Sequence, residues 1–400
     1  MKNSQCLELH PEPSLSPAKA VYVLTGCVGV IGANSMVLGP IAPAVASSIG
    51  AGVPTVMMAA AAFGLGTAAS ALFLARLIDL VGSARMLKFT MMLLGAALLL
   101  CAASPSVAVF IAAQLIAGMA SGIALPAIYA SAAAIAEPGR ESRTIGKVLT
   151  GWTLSMIAGV SFSVVLTELF SWRAVYVSVS CLAALALIAL VRLNMQDRPA
   201  AGMAPSPLSA LGLPGIKSLL VVCGAFMTAF YGIYAYLGDH LHQDLGLPVT
   251  ANGGVAIAYG AGFGCAALLS GMVDRFGPKR LMPLVLLVAA IVYLGLAMLG
   301  SSLLGVICLL FVLGLVNHLG VNLLIQRLTA IDPAKRGTLM GLNSAVTYLA
   351  VFAGSSSYGP LYTDHGFTTV SLVSLGLMII AVLTCLWRDF AGQGAKVAAE

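Results

Sequence analysis

Charge is scarce in this chain. Asp, Glu, Lys and Arg together make up 8% of its 400 residues, while 60% are hydrophobic and the mean hydropathy is +1.01. A soluble domain carries roughly 25% charged residues. An ordinary wetted surface is therefore excluded, and lipid is the natural solvent. Acidic residues are missing from the middle of every long apolar run; Glu168 and Asp239 fall at run ends. Of the eight cysteines, all but Cys6 lie in apolar runs and none form a C-x-x-C pair. That pattern suits small apolar filler and argues against a disulfide framework or a metal centre. No N-x-[ST] sequon, GxSxG or HExxH occurs, so neither glycosylation nor intramembrane hydrolysis is indicated. The polar tail to Lys19 leads into an apolar stretch of about 27 residues, too long for the core of a cleaved signal peptide.

What is present is a series of apolar runs. Spans are expected at 20–46, 53–77, 86–103, 107–136, 147–168 and 174–192, then at 216–239, 250–273, 281–300, 303–329, 339–360 and 367–388. Each can cross a core of about 30 Å as a helix. Their unbroken apolarity excludes a barrel of short alternating strands. The Pro- and Gly-rich segment 193–215 reads as a linker between two six-helix halves, with short tails at 1–19 and 389–400. The basic residues test the count. Nineteen of the 20 fall in alternate loops and the tails; Arg173 is the exception. Basic loops stay cytoplasmic, which places both termini inside and makes the number of spans even. The same dispersal over loops argues against nucleic acid as a partner.

The chain also repeats itself. SGMVDRFGPKRL (Ser270 to Leu281) answers ARLIDLVGSARM (Ala75 to Met86) at an offset of 195, pairing Asp274 with Asp79, Gly277 with Gly82 and Arg280 with Arg85. Asp332-Pro333 answers Glu137-Pro138, Gly341 answers Gly146 and Gly354 answers Gly159 at the same offset. Parallel halves related by an axis along the membrane normal follow.

Two six-helix halves with this motif between the second and third helix of each resemble the major facilitator superfamily. The C-terminal copy resembles its G-x-x-x-D-R-x-G-x-[KR]-[KR] signature, running from Ser270/Gly271 through Asp274, Arg275, Gly277, Lys279 and Arg280. The N-terminal copy has Arg76 for the leading Gly and Leu80 for the Arg. The resemblance implies an all-α membrane protein of twelve transmembrane helices in two pseudo-symmetric bundles. It also implies a latch between the halves at Asp79, Gly82, Arg85, Asp274, Arg275, Gly277 and Arg280. Helix four, QLIAGMASGIALPA, and helix five, TGWTLSMIAGVSFS then SWRAVY, look closest to the drug- and sugar-exporting proton antiporters. Gln114, Ser161 and Ser163 stand where that branch has Arg, Pro and Gly. A monomer in a bacterial inner membrane is the matching expectation, with no cofactor and no enzymatic activity.

A charge at the bilayer centre costs about 2.5–3.5 kcal/mol on insertion scales, so an ionisable residue there marks function. His318 is the one near a span centre, and with Asn322 and Gln326 it repeats every fourth residue on one helix face. It is the candidate for proton coupling. Asn34, Gln114, Trp152, Phe230, Tyr231, Tyr234, Asn317, His318, Asn322 and Asn343 are the expected walls of a substrate cavity; the resemblance implies a centre lined by helices one, four, seven and ten, and Trp152 and Asn343 add positions on helices five and eleven. Such a pocket is neutral, partly aromatic and moderately polar. It suits an uncharged or weakly cationic amphiphile or a sugar, and not a phosphate or dicarboxylate, which would call for buried Arg or Lys. Exchange against protons, uptake with them and passive facilitation stay open. An intramembrane enzyme or a sensor would need clustered catalytic groups or a signalling domain, and neither is seen.

Overall fold

The computed structural model describes residues 17–74, 77–137, 140–193, 195, 206–248, 250–332 and 335–397. Among these, every regular element is helical. Ten stretches are long and apolar enough to cross a membrane. One of them, Gly337–Trp387, is two helices joined at Gly366, and an eleventh crossing, 250–276, is made in three short pieces, which gives twelve spans.

The first half holds α1 (Pro17–Ile49), α2 (Val53–Phe73), α3 (Ser83–Ala103), α4 (Val107–Ile135), α5 (Glu141–Leu154, continuing through a π segment Ser155–Gly159 into Val160–Leu169) and α6 (Trp172–Arg192). The second holds α7 (Ile216–Asp239, continuing as a π segment His240–Asp244), α8 (Thr250–Cys265, a 3₁₀ turn Ala266–Leu269, then Ser270–Phe276), α9 (Pro278–Leu299) and α10 (Leu303–Thr329). Its last two helices, α11 and α12, share the stretch Arg336–Val397 on either side of Gly366, whose φ of 76° breaks the helix. With twelve spans, the start of α1 at Pro17 and the end of α12 at Val397 fall at one end of the bundle, the end of the termini. Large apolar side chains cover the outside: Met298 is 74% exposed, Leu304 71% and Trp387 79%. Only hydrocarbon can take up that surface without cost.

The halves are copies in their contacts as well as their order. In the first, α1 packs on α5, α2 on α4, α4 on α3 and α3 on α6; in the second, α7 packs on α11, α8 on α10, α10 on α9 and α9 on α12. The crossing points correspond residue by residue. Gly66 meets Leu115 and Gly118 meets Phe63, just as Gly262 meets Phe311 and Gly314 meets Tyr259, each partner shifted by 196. In a bilayer, helices gain nothing from hiding apolar surface from each other, so close backbone approach at small residues does the joining. Gly82 (φ 101°) and Gly277 (φ 75°) begin α3 and α9 in a region open mainly to glycine.

The offset drifts between 195 and 196, and local helix geometry accounts for part of this. Gly29 packs on Gly151 and Gly224 on Val346, both at 195, whereas the turn glycines Gly50 (φ 71°) and Gly246 (φ 63°) stand 196 apart. The added residue falls in α7, where the π segment absorbs it, as π-bulges do. Fifteen steps then lead from Gly262 to Gly277 against sixteen from Gly66 to Gly82. The 3₁₀ turn in α8 rises about 2.0 Å per residue, more than an α-helix, and covers that distance with one residue fewer.

Several helices outrun their apolar runs. α1 starts at Pro17, α5 starts at Glu141, α7 passes Asp239, and the last helical stretch reaches Val397. The expected bounds mark where hydrocarbon ends, and the backbone pairs on beyond it. Part of the expected linker is described: the turn Pro207–Gly212 lies against α11, where Pro207 approaches Gly341, and Gly215 (φ 77°) starts α7.

The halves meet along α2 with α11, α5 with α8, and α1 with α7. A Cβ on Gly64 would stand 2.7 Å from Tyr348 O and 2.9 Å from Phe352 N, and one on Gly238 would stand 2.7 Å from Gly39 O. Asn252 Nδ2 donates to Pro40 O at 2.8 Å, and Thr250 N donates to Glu168 Oε1 at 2.7 Å. Both bonds lie toward the end away from the termini.

Gly118→Ala or Gly314→Ala forces a methyl onto backbone that cannot swing aside. Each is expected to cost about 1–3 kcal/mol by overpacking, read as a lower melting temperature in detergent. Gly376→Ala, with no neighbouring atom within 4 Å, is the matched control and should melt like the parent.

Candidate functional site

The most developed polar and aromatic cluster forms where α7, α8 and α10 converge behind the α1 crossing. Phe230 stacks on Tyr259, with ring centroids 5.2 Å apart and planes at 17°. Tyr234 lies 5.5 Å from Phe230 and 6.4 Å from Tyr259, and Tyr231 packs against the edge of Phe230 at 5.0 Å. Asn317 Nδ2 donates to the Tyr259 hydroxyl at 3.0 Å, while its buried Oδ1 has no partner. Helical spacing accounts for the convergence. Phe230 and Tyr234 are four apart on α7, and Gly314 lets α10 come close enough to Tyr259 for Asn317 to reach it.

On the other half, Asn34 and Gln114 are buried and exchange two amide hydrogen bonds of 3.2 Å. This joins α1 to α4 with no net charge, using one donor and one acceptor of each amide. Trp152 of α5 is half-buried against Gly32 of α1 and neighbours Tyr129. Ser35 Oγ is buried beside Tyr231. The Tyr348 hydroxyl is buried with no hydrogen-bond partner, and its ring meets Phe63 edge-on across the halves at 6.1 Å. The cavity next to Pro40, Tyr234, Gly238, Asn252 and Tyr259 is about 20 Å³. That is room for a water and no more.

His318 meets the edge of that cluster through Phe263, whose ring lies 6.2 Å from Tyr259. His318 is half-buried, edge-on to Phe263 of α8 at 4.7 Å, and its Nδ1 has no partner. Gln326 donates to Asn322 at 3.0 Å, so those two satisfy each other along α10. Asn343 is buried on α11 and accepts from Cys223 Sγ at 3.4 Å. At the end that carries the termini, Arg275 lies over Phe276 at 5.5 Å, and Arg275, Arg280 and Arg85 are exposed. The side chains of Asp79 and Asp274 fall outside the described residues. Arg327 is not at a wetted helix end: it is 5% exposed and donates to Cys385 Sγ at 2.9 Å.

Sequence reasoning missed Tyr259, Phe263 and Asn252, which sit in a Gly-rich run that reads as filler. It placed Asp239 at a helix end, but the helix continues, and Asp239 is 8% exposed with Oδ1 unpartnered. Beside it His240 is bonded to Asp244, and Tyr362 reaches over from α11.

Residues 24–355 match the family model described as Major Facilitator Superfamily. The MFS-type transporter YwfA of Bacillus subtilis is 24% identical over 372 residues, covering 91% of this chain and 90% of that protein. The chloramphenicol resistance protein of Streptomyces lividans is 25% identical over 373 residues, covering 91% and 94%. Among solved structures, a bacterial homologue of the human lysosomal transporter Spinster superposes with a TM-score of 0.74 at 13% identity, covering 96% of this chain and 98% of that one. The human organic anion transporter MFSD10 gives 0.69 at 17%, covering 94% and 100%. Matched by family model across most of its length, this multi-pass membrane chain belongs to the major facilitator superfamily of transporters.

Proposed function

We propose that the chain exports small, uncharged or weakly cationic aromatic amphiphiles across a bacterial inner membrane by alternating access, in exchange for protons. The observation that carries this reading is the cluster of Phe230, Tyr234, Tyr259 and Asn317. It offers stacking faces, one amide with a free acceptor, and no fixed charge. The Asn34–Gln114 pair opposite offers further amide donors and acceptors. Aromatic pairs add about 0.5–1.5 kcal/mol beyond area burial, enough to select a flat ring. A sugar is the weaker match to walls so rich in aromatic faces. The likeness to a chloramphenicol resistance protein supports the same class, since chloramphenicol is a neutral aromatic amide.

In this reading both termini are cytoplasmic and the protein works as a monomer. The latch residues Asp79, Gly82, Arg85, Asp274, Arg275, Gly277 and Arg280 hold the halves on that side, and His318 carries the proton. A passive facilitator or an uptake symporter is the second reading. It is favoured by the lack of Asp and Glu from the middle of every span.

Expression in an efflux-deficient bacterial host should raise tolerance to chloramphenicol. Tyr259→Ala and Asn317→Ala should each lower efflux roughly two- to tenfold at equal membrane abundance, the size of one stacking or hydrogen-bond contribution. In proteoliposomes with an imposed pH gradient, substrate should drive proton movement, and His318→Ala should abolish it while sparing substrate exchange. Proton movement that ignores substrate would remove antiport and leave the facilitator. An enzymatic reporter fused after Glu400 should be shielded in intact cells and accessible in inverted vesicles; the opposite result would reverse the orientation.

A further inference from the structure

A second cavity opens between the halves at the end away from the termini. It measures about 560 Å³, within the usual range for small-molecule sites of about 300–1,000 Å³. The first half supplies apolar and small residues, among them Pro43, Ala46, Ser47 and Pro54 of α1 and α2. The second supplies Asp239, Gln243 and Asp244 from α7 and its π segment, with Tyr362 and Thr363 from α11.

Hydrogen-bond partners account for most of the charged groups around this cavity. His240 Nε2 lies 2.9 Å from Gly300 O, which can only accept, so Nε2 carries a hydrogen. His240 Nδ1 lies 2.6 Å from Asp244 Oδ2. A hydrogen lies between those two atoms whichever owns it: imidazolium with carboxylate, or imidazole with carboxylic acid. Either way the pair is neutral as a unit. Its ring is held flat against Phe367, with centroids 4.0 Å apart. The Tyr362 hydroxyl donates to Asp244 Oδ2 at 3.4 Å, and Tyr362 stacks on Tyr236, whose own hydroxyl donates to Ser355 O. His242 Nδ1 is taken up by Leu247 O at 2.9 Å. Arg173, the single basic residue in the loops at this end, is committed to Ser48 Oγ and Ser104 O and lies over Trp172.

That leaves Asp239. It is 8% exposed, its Oδ1 has no hydrogen-bond partner, and it lines the cavity. A buried carboxylate oxygen left without a hydrogen-bond partner is costly, and a positive charge beside it offsets that cost. Among the described residues no group of three or more His, Cys, Asp or Glu could hold a metal ion. The walls are apolar and aromatic rather than the six or more oxygens that calcium requires. We propose that this vestibule binds one organic monocation, with Asp239 as its counter-charge and the Tyr362 ring and the proline-lined wall of α1 and α2 as its apolar cradle. The site stands apart from the central cluster and does not depend on that cluster's substrate. Because both halves line it, an occupant binds best in the state seen here and shifts the population toward it.

The test is equilibrium binding of tetraphenylphosphonium, a permanently charged and non-titrating probe, to the purified full-length protein in detergent. Asp239→Asn removes the charge and keeps the shape. It should weaken binding roughly tenfold or more, the scale of one partly buried ion contact. Ser47→Trp fills the cavity from α1 without touching the carboxylate and should weaken binding as strongly. Wild-type affinity in a folded Asp239→Asn variant overturns the proposal. If that variant does not elute as a folded protein, Ser47→Trp decides: undiminished binding overturns the proposal, and loss supports it. Chloramphenicol binding to the wild-type protein reads the central site separately, so its absence would count against that site and leave the vestibule result as it stands.

Discussion

Backbone meets backbone in this molecule wherever a glycine allows it, and the rest of the architecture is arranged around those meetings. Hydrocarbon offers helices no reward for touching and no water to satisfy a strayed peptide group. Contact must come from close packing, and close packing of two helix axes needs a residue without a Cβ. The pairs Gly66·Leu115 and Gly118·Phe63, with their counterparts Gly262·Phe311 and Gly314·Tyr259, set the α2–α4 and α8–α10 crossings alike. Gly64 and Gly238 do the same between the halves. With the axes set, the polar side chains have few places to go. Asn317 reaches Tyr259 because Gly314, one turn away, brings α10 onto α8.

The two halves share a plan but differ in local detail. The extra residue in α7 goes into a π segment, and that segment carries His240 and Asp244 beside Asp239. The corresponding end of α1 is uniform α-helix with two prolines and no ionisable group. Duplication therefore built one acidic wall and one apolar wall and set them opposite each other across the vestibule. The middle of the molecule is asymmetric in a milder way: an amide pair on one side, an aromatic–amide cluster on the other.

Much of the fold was legible in the sequence, because a bilayer demands unbroken apolar runs and sorts basic loops to one side. The repeat of Asp79–Gly82–Arg85 at Asp274–Gly277–Arg280 disclosed the two-fold plan directly. Helix ends were less legible. Apolarity stops at the headgroups, while the hydrogen-bond ladder of α1, α5 and α12 does not. The site was legible only in part. Aromatic spacing pointed to Phe230 and Tyr234, but Asn34 and Gln114 find each other across 80 positions, which no local pattern encodes. Tyr259 hid in a run of glycines whose purpose is close packing. Asp239 looked like the last residue of a span because nothing in the composition announces a π segment beyond it.

The reciprocal bonds of Asn34 and Gln114 bear on how fast such a molecule could work. Each amide already holds a donor and an acceptor of equal strength, so an incoming guest that bids for them swaps one partner for another with little change in enthalpy. Binding by exchange is shallow, and shallow wells empty quickly. In the proposed reading of Asn34 and Gln114 as cavity walls, a self-satisfied amide pair favours brief residence over a firm grip.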